Sequence, residues 1–76
     1  MTIKVIAYAR YGELLGFTES ELPLPDPPIL RELLKHSSFA KLPPDVLLAV
    51  NQGFVTKDEM LYSGDEVAVM PPVSGG

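Results

Sequence analysis

Cysteine is absent from the 76 residues, which excludes disulfide staples, thiolate nucleophiles, and any thioester or persulfide carried on a side chain. A single histidine leaves too few ligands for a structural zinc site. Long apolar runs are missing as well: the longest, Val5–Ala9 and Val46–Val50, are far too short to span a bilayer. Met1-Thr2-Ile3-Lys4 leads straight into a strand pattern, without a charged stub and apolar stretch, so no signal peptide is read and the cytoplasm is the expected location. Basic residues are scarce. Six against ten acids give a net charge of −4, and nowhere do more than two come close together. That argues against nucleic acid as a ligand. A basic protein partner, or simple solubility, remains as the meaning of the acidity.

What is present is a globular composition, 46 % hydrophobic and 21 % charged, in a chain long enough for one small domain. Area scaling gives a folded surface of roughly 4,600 Å², so burial and chain entropy nearly balance and the domain is expected to be marginal alone. Without disulfides or metal, good packing or a partner subunit has to supply the rest.

From Thr2 to Arg10 the residues alternate, with Ile3, Val5, Ala7 and Ala9 on one face and Thr2, Lys4, Ile6, Tyr8 and Arg10 on the other. This period predicts a strand, and the apolar Ile6 and Tyr8 on its second face suit a central position. Tyr11–Gly16 reads as a loop with room for one helical turn, closed by Gly16 at positive φ. A second strand is expected over Phe17–Leu24, at an edge or ending early because Pro23 and Pro25 cannot donate to a ladder. Asp26-Pro27-Pro28 reads as a helix start, with Pro28 at the first helical position and Asp26 near the cap. Some nine residues follow, with Ile29, Leu30, Leu33 and Leu34 as the apolar stripe and Arg31, Glu32, Lys35 and His36 on the wet side. Val46–Asn51 is expected as a buried strand, Phe54-Val55 as a short one, Gly64-Asp65 as a turn and Glu66–Met70 as the last strand. The order predicts an α+β domain over residues 1–70: a mixed sheet of four to five strands, one main helix on one face, and a late strand parallel to the first.

Residues 71–76 form the least ordinary stretch. Pro71 and Pro72 remove backbone donors and stiffen the path away from the sheet, and Val73 and Ser74 extend it. Gly75 and Gly76 carry no side chain, so the terminal carboxylate fits a channel too narrow for any Cβ. Such a carboxylate is a poor electrophile until adenylated with ATP. Activated, it accepts an amine to give an amide, or a sulfide equivalent to give a thiocarboxylate.

Asn51-Gln52, the run Leu61-Tyr62-Ser63-Gly64-Asp65-Glu66-Val67-Ala68-Val69, the tail Pro71-Pro72-Val73-Ser74-Gly75-Gly76, and Tyr8-Ala9 followed by Glu13-Leu14-Leu15-Gly16 together resemble the small, sulfur-carrying subunits of molybdopterin synthase. The resemblance covers nearly the whole chain and is weakest from Pro23 to Val46. It implies a ubiquitin-like β-grasp fold. It also implies that a ubiquitin-activating type of enzyme adenylates Gly76 with ATP. Sulfur drawn from cysteine by a desulfurase then makes a thiocarboxylate, and the tail enters the large synthase subunit to donate sulfur to a cyclic pyranopterin precursor. The chain is then a non-catalytic subunit of a hetero-oligomer, with no resident cofactor, no metal, no nucleic acid and no membrane. A sulfur carrier for thiamine synthesis and a protein modifier joined through Gly76 are the alternatives. Two positions depart from the family: Gly12 stands where an arginine is usual, which puts in doubt any ion pair made from that loop, and Pro27-Pro28 replaces a threonine-led helix start.

Met70, where relatives carry a bulky apolar residue, reads as an interface anchor or as part of the core. With Pro71, Pro72, Val73, Ser74 and Gly75 it makes up the expected partner-binding segment. His36, at the end of the expected helix, fits a cation placed on the helix dipole better than a catalytic group. Asp58-Glu59 and Asp65-Glu66 read as turn or rim residues, because neighbours on a strand point to opposite faces.

Overall fold

The computed structural model describes residues 1–72. The elements in chain order are β1 (Thr2–Ala7), α1 (Tyr11–Leu15), β2 (Glu19–Pro23), α2 (Leu30–Leu33), a 3₁₀ turn (Ser37–Phe39), β3 (Leu47–Val50), β4 (Gly53–Phe54) and β5 (Glu66–Met70). The strands form one mixed sheet in the order β2-β1-β5-β3-β4. β1 and β5 are parallel and the other pairings antiparallel. This is the β-grasp arrangement expected, with β1 paired on both sides and the proline-bearing β2 at an edge. No helix among the described residues is long and apolar enough to cross a membrane.

One sheet face holds the core. Ile3, Val5 and Ala7 of β1, Leu48 of β3, and Val67 and Val69 of β5 pack with Tyr11, Leu30, Leu33, Phe39 and Leu61. Tyr11, read as a loop residue from the sequence, is fully buried. Its helical turn ends as expected, on Gly16 at φ 87°, whose N–H donates to the Gly12 carbonyl. Gly12 is buried, and a Cβ there would lie 3.1 Å from Thr18 Cγ2. A side chain at position 12 would therefore crowd β2's approach. The nearby cation is instead Arg10, over the Tyr11 ring at 5.6 Å.

The helix departs most from expectation. α2 is a single turn, capped by extended Ile29, so Pro28 precedes the helix instead of starting it and Asp26 makes no cap. The N–H groups of Leu30 and Arg31 donate to the carbonyls of Glu59 and Lys57, and Leu61 N–H donates to Pro28 O. A loop distant in sequence thus satisfies the orphan donors of the helix start. Beyond Leu33 the bonds tighten to i→i−3, from Lys35 to Glu32 and from His36 to Leu33. His36 is extended, and its Nδ1 accepts from Ser38 N–H at 3.1 Å. It caps the next turn as an acceptor, not the helix end as a cation.

β1 stops at Ala7, since Ala9 adopts φ 55° and leaves the sheet. β4 lies one residue earlier than expected because Asn51 and Gln52, at φ 50° and 72°, form a two-residue turn that pairs Val50 with Gly53. Positive φ at both central positions is the hairpin geometry that matches strand twist.

Candidate functional site

Pairing register decides what the other sheet face displays. Lys4 and Ile6 of β1 stand beside Glu66 and Ala68 of β5, Met70 and Ala68 face Leu47 and Ala49 of β3, and Ala49 faces Phe54 of β4. Tyr8 continues the row past the strand's end, its N–H donating to Val69 O. No helix covers this side among the described residues. Small alanines flanked by long neighbours leave a hollow: a cleft of about 200 Å³ lined by Tyr8, Ala49, Gln52, Phe54, Ala68 and Met70, with Glu66 on its rim. Ala49 and Ala68 form the floor. Phe54, 73 % exposed, and Tyr8, 48 % exposed, stand up as walls. Concave apolar surface of this kind on a small domain marks an interaction site.

A second cluster fixes the cleft's outer wall. Asn51 Nδ2 donates to Asp65 Oδ1 at 3.1 Å, Asn51 Oδ1 accepts from Glu66 N–H at 3.0 Å, and Asp65 Oδ2 accepts from Tyr62 N–H at 2.8 Å. Asp65 N–H returns a bond to Tyr62 O, with Gly64 at φ 89° inside the turn. The turn chemistry read for Gly64-Asp65 is therefore present, and its carboxylate is committed to backbone and amide donors. Asp58 is likewise engaged, 2.7 Å from the Arg31 guanidinium. The brace ties the Asn51-Gln52 turn to the start of β5, and so sets Gln52 and Phe54 against Ala68.

Of the residues expected to form the working segment, Met70 closes β5 half-buried in the cleft, and Pro71 and Pro72 follow it partly buried. Met70 thus belongs to the open face, not to the core. Pairing ends at Met70 opposite Leu47. Val73, Ser74, Gly75 and Gly76 lie outside the described residues. The sequence reading missed Tyr8, Ala49, Phe54 and Ala68 as a group. Its usable signal was the apolar pair Ile6 and Tyr8 on the second face of β1.

Comparison with known proteins adds a family and a set of relatives. A family model described as the ThiS family matches residues 5–76. A molybdopterin synthase sulfur carrier subunit of Escherichia coli (strain K12) is 38 % identical over 81 residues, covering 97 % of this chain and 99 % of that protein. The Arabidopsis thaliana protein of the same name is 33 % identical over 79 residues, covering 97 % and 82 %. A Pyrococcus furiosus structure described as a molybdopterin converting factor, subunit 1, superposes with a TM-score of 0.84 at 34 % identity, covering 96 % of this chain and 99 % of that one. A Helicobacter pylori complex of subunits 1 and 2 of molybdopterin-converting factor shares the fold, with a TM-score of 0.70 at 18 % identity and full coverage of both chains.

Proposed function

The chain belongs to the ThiS family, and from that premise we propose that it is the sulfur carrier of molybdopterin synthase, working through the terminal carboxylate of Gly76. The observation that carries the reading is the placement of the segment's root: β5 is paired on both sides, and its last residue, Met70, lines an open apolar cleft immediately before Pro71-Pro72. A strand held on both sides thus leads into Pro71-Pro72 beside a surface fit for docking.

The chemistry follows from the terminus. A carboxylate oxygen of Gly76 attacks the α-phosphorus of ATP on a ubiquitin-activating type of enzyme, and pyrophosphate leaves. The persulfide sulfur of a cysteine desulfurase then attacks the acyl carbon and displaces AMP, and a thiol reductant cleaves the resulting acyl disulfide, forming a disulfide of its own and leaving a thiocarboxylate. The large synthase subunit is the partner that receives this end and the cyclic pyranopterin precursor that takes the sulfur. Glycine at the last two positions lets the reacting carbon pass where any Cβ would collide. The cleft, with Tyr8, Phe54 and Met70 around Ala49 and Ala68, is the docking face, and Glu66 on its rim favours a basic partner residue. The chain carries the sulfur and the large subunit supplies the catalytic pocket, in a cytoplasmic hetero-oligomer with no resident cofactor.

Incubation with the activating enzyme, ATP and a sulfur source is expected to exchange one terminal oxygen for sulfur in the intact mass. Absence of that exchange would sink the proposal. Deleting Gly76, or adding one residue after it, abolishes synthase activity while the thermal melt is unchanged; retained activity in either variant contradicts the mechanism.

A further inference from the structure

The chain's only sulfur atoms are the thioethers of its three methionines. Met1 is 90 % exposed and Met60 47 % exposed. Met60 bridges to Ile29 beside α2, outside the cleft. Of the three, Met70 alone lies in the cleft, half-buried in its lining. A thioether is the one group in that lining that a peroxide oxidises under mild conditions, and the sulfoxide turns a soft apolar contact into a strong dipole.

We propose that Met70 is an oxidation site at which peroxides switch docking off, an inference that rests on the assignment of the cleft as the docking face. The sulfur of Met70 attacks one oxygen of hydrogen peroxide, the O–O bond breaks, and water leaves after proton transfer. Sulfur is oxidised by two electrons and the peroxide is reduced by two. The sulfoxide oxygen stands over the floor made by Ala49 and Ala68, where a partner's apolar side chain has no donor to offer it. Burying that dipole without a hydrogen bond opposes association. Docking in turn covers the sulfur, so only the free carrier is modified. The side chain takes no part in core packing, so the fold survives.

The test oxidises the isolated carrier with hydrogen peroxide, removes the oxidant, and measures affinity for the large subunit beside an untreated sample. Oxygen uptake is mapped by peptide, because sulfur exchange at Gly76 changes the intact mass by nearly the same amount. The Met70 sulfoxide is expected to bind at least about tenfold more weakly, with an unchanged circular dichroism spectrum and recovery after methionine sulfoxide reductases. Whatever affinity untreated Met70→Leu has, peroxide treatment leaves it unchanged although Met1 and Met60 are oxidised. Prior docking slows oxidation of Met70 and leaves that of Met60 unchanged. Equal affinity of the oxidised and reduced carriers, loss of the fold, or an equal loss in peroxide-treated Met70→Leu would overturn the switch. An untreated carrier that fails to bind at all would overturn the docking assignment first, and the switch with it.

Discussion

The two faces of the sheet are built from the same strands with opposite results. On β1, Ile3, Val5 and Ala7 vanish beneath α1, α2 and the 3₁₀ turn, while Lys4 and Ile6 point to the uncovered side. On β5, Val67 and Val69 are fully buried in the core, and Ala68 and Met70 floor and flank the cleft. A period of two divides stability from recognition residue by residue. Substitutions on one face should therefore cost folding free energy, and substitutions on the other should cost partner affinity.

The largest effect is expected from Leu30→Ala, which empties a fully buried position. A loss of about 3 kcal/mol in urea titration is expected, a large share of a small domain's stability; a loss below about 1 kcal/mol would mean that the core face is not what holds the fold. Phe54→Ala tests the other face. Its ring is 73 % exposed, so stability should move by less than about 0.5 kcal/mol. Affinity for the large subunit should fall roughly tenfold or more. Unchanged affinity would remove Phe54 from the docking face.

Asn51→Ala sits between the two regimes. It removes the bonds to Asp65 and to Glu66 N–H and should cost about 1 to 2 kcal/mol by thermal melt. Because the brace also sets the wall of the cleft, affinity should drop as well. A stability loss with full affinity would uncouple brace from cleft. The smallest effect belongs to Tyr11→Phe. The buried Tyr11 hydroxyl has no hydrogen-bond partner among the described residues, so its removal should leave stability unchanged or raise it by up to about 1 kcal/mol. A clear fall would reveal a partner for the hydroxyl.

Local patterns were readable where chemistry acts between near neighbours. Glu66–Met70 as a strand, Gly16 at positive φ, a turn at Gly64-Asp65, and an edge position for the strand carrying Pro23 all follow from residues within a turn of each other. α2 was not readable. The spacing of Ile29, Leu30, Leu33 and Leu34 persists through tightened turns, and the donors of its first turn are met by Glu59 and Lys57, which no nearby residue announces. The cleft escaped for the same reason. It exists because Ala49 falls opposite both Ala68 and Phe54, a register that only the assembled sheet defines. Gly76 lies outside the described residues, and the role proposed for it rests on the sequence of the segment alone, on what glycines without side chains allow.

The position of β5 bears on the order of events in folding. This strand is the last in chain order among those described, yet it fills the slot between β1 and β3. Until it arrives, β1 and β3 have no ladder in common and Val67 and Val69 are missing from the core. The sheet must wait for its final strand, and such sequence-distant pairing makes folding slow. A chain cut short before Glu66 lacks the middle of its own sheet. Closure of the fold therefore requires the strand that leads directly into Pro71-Pro72.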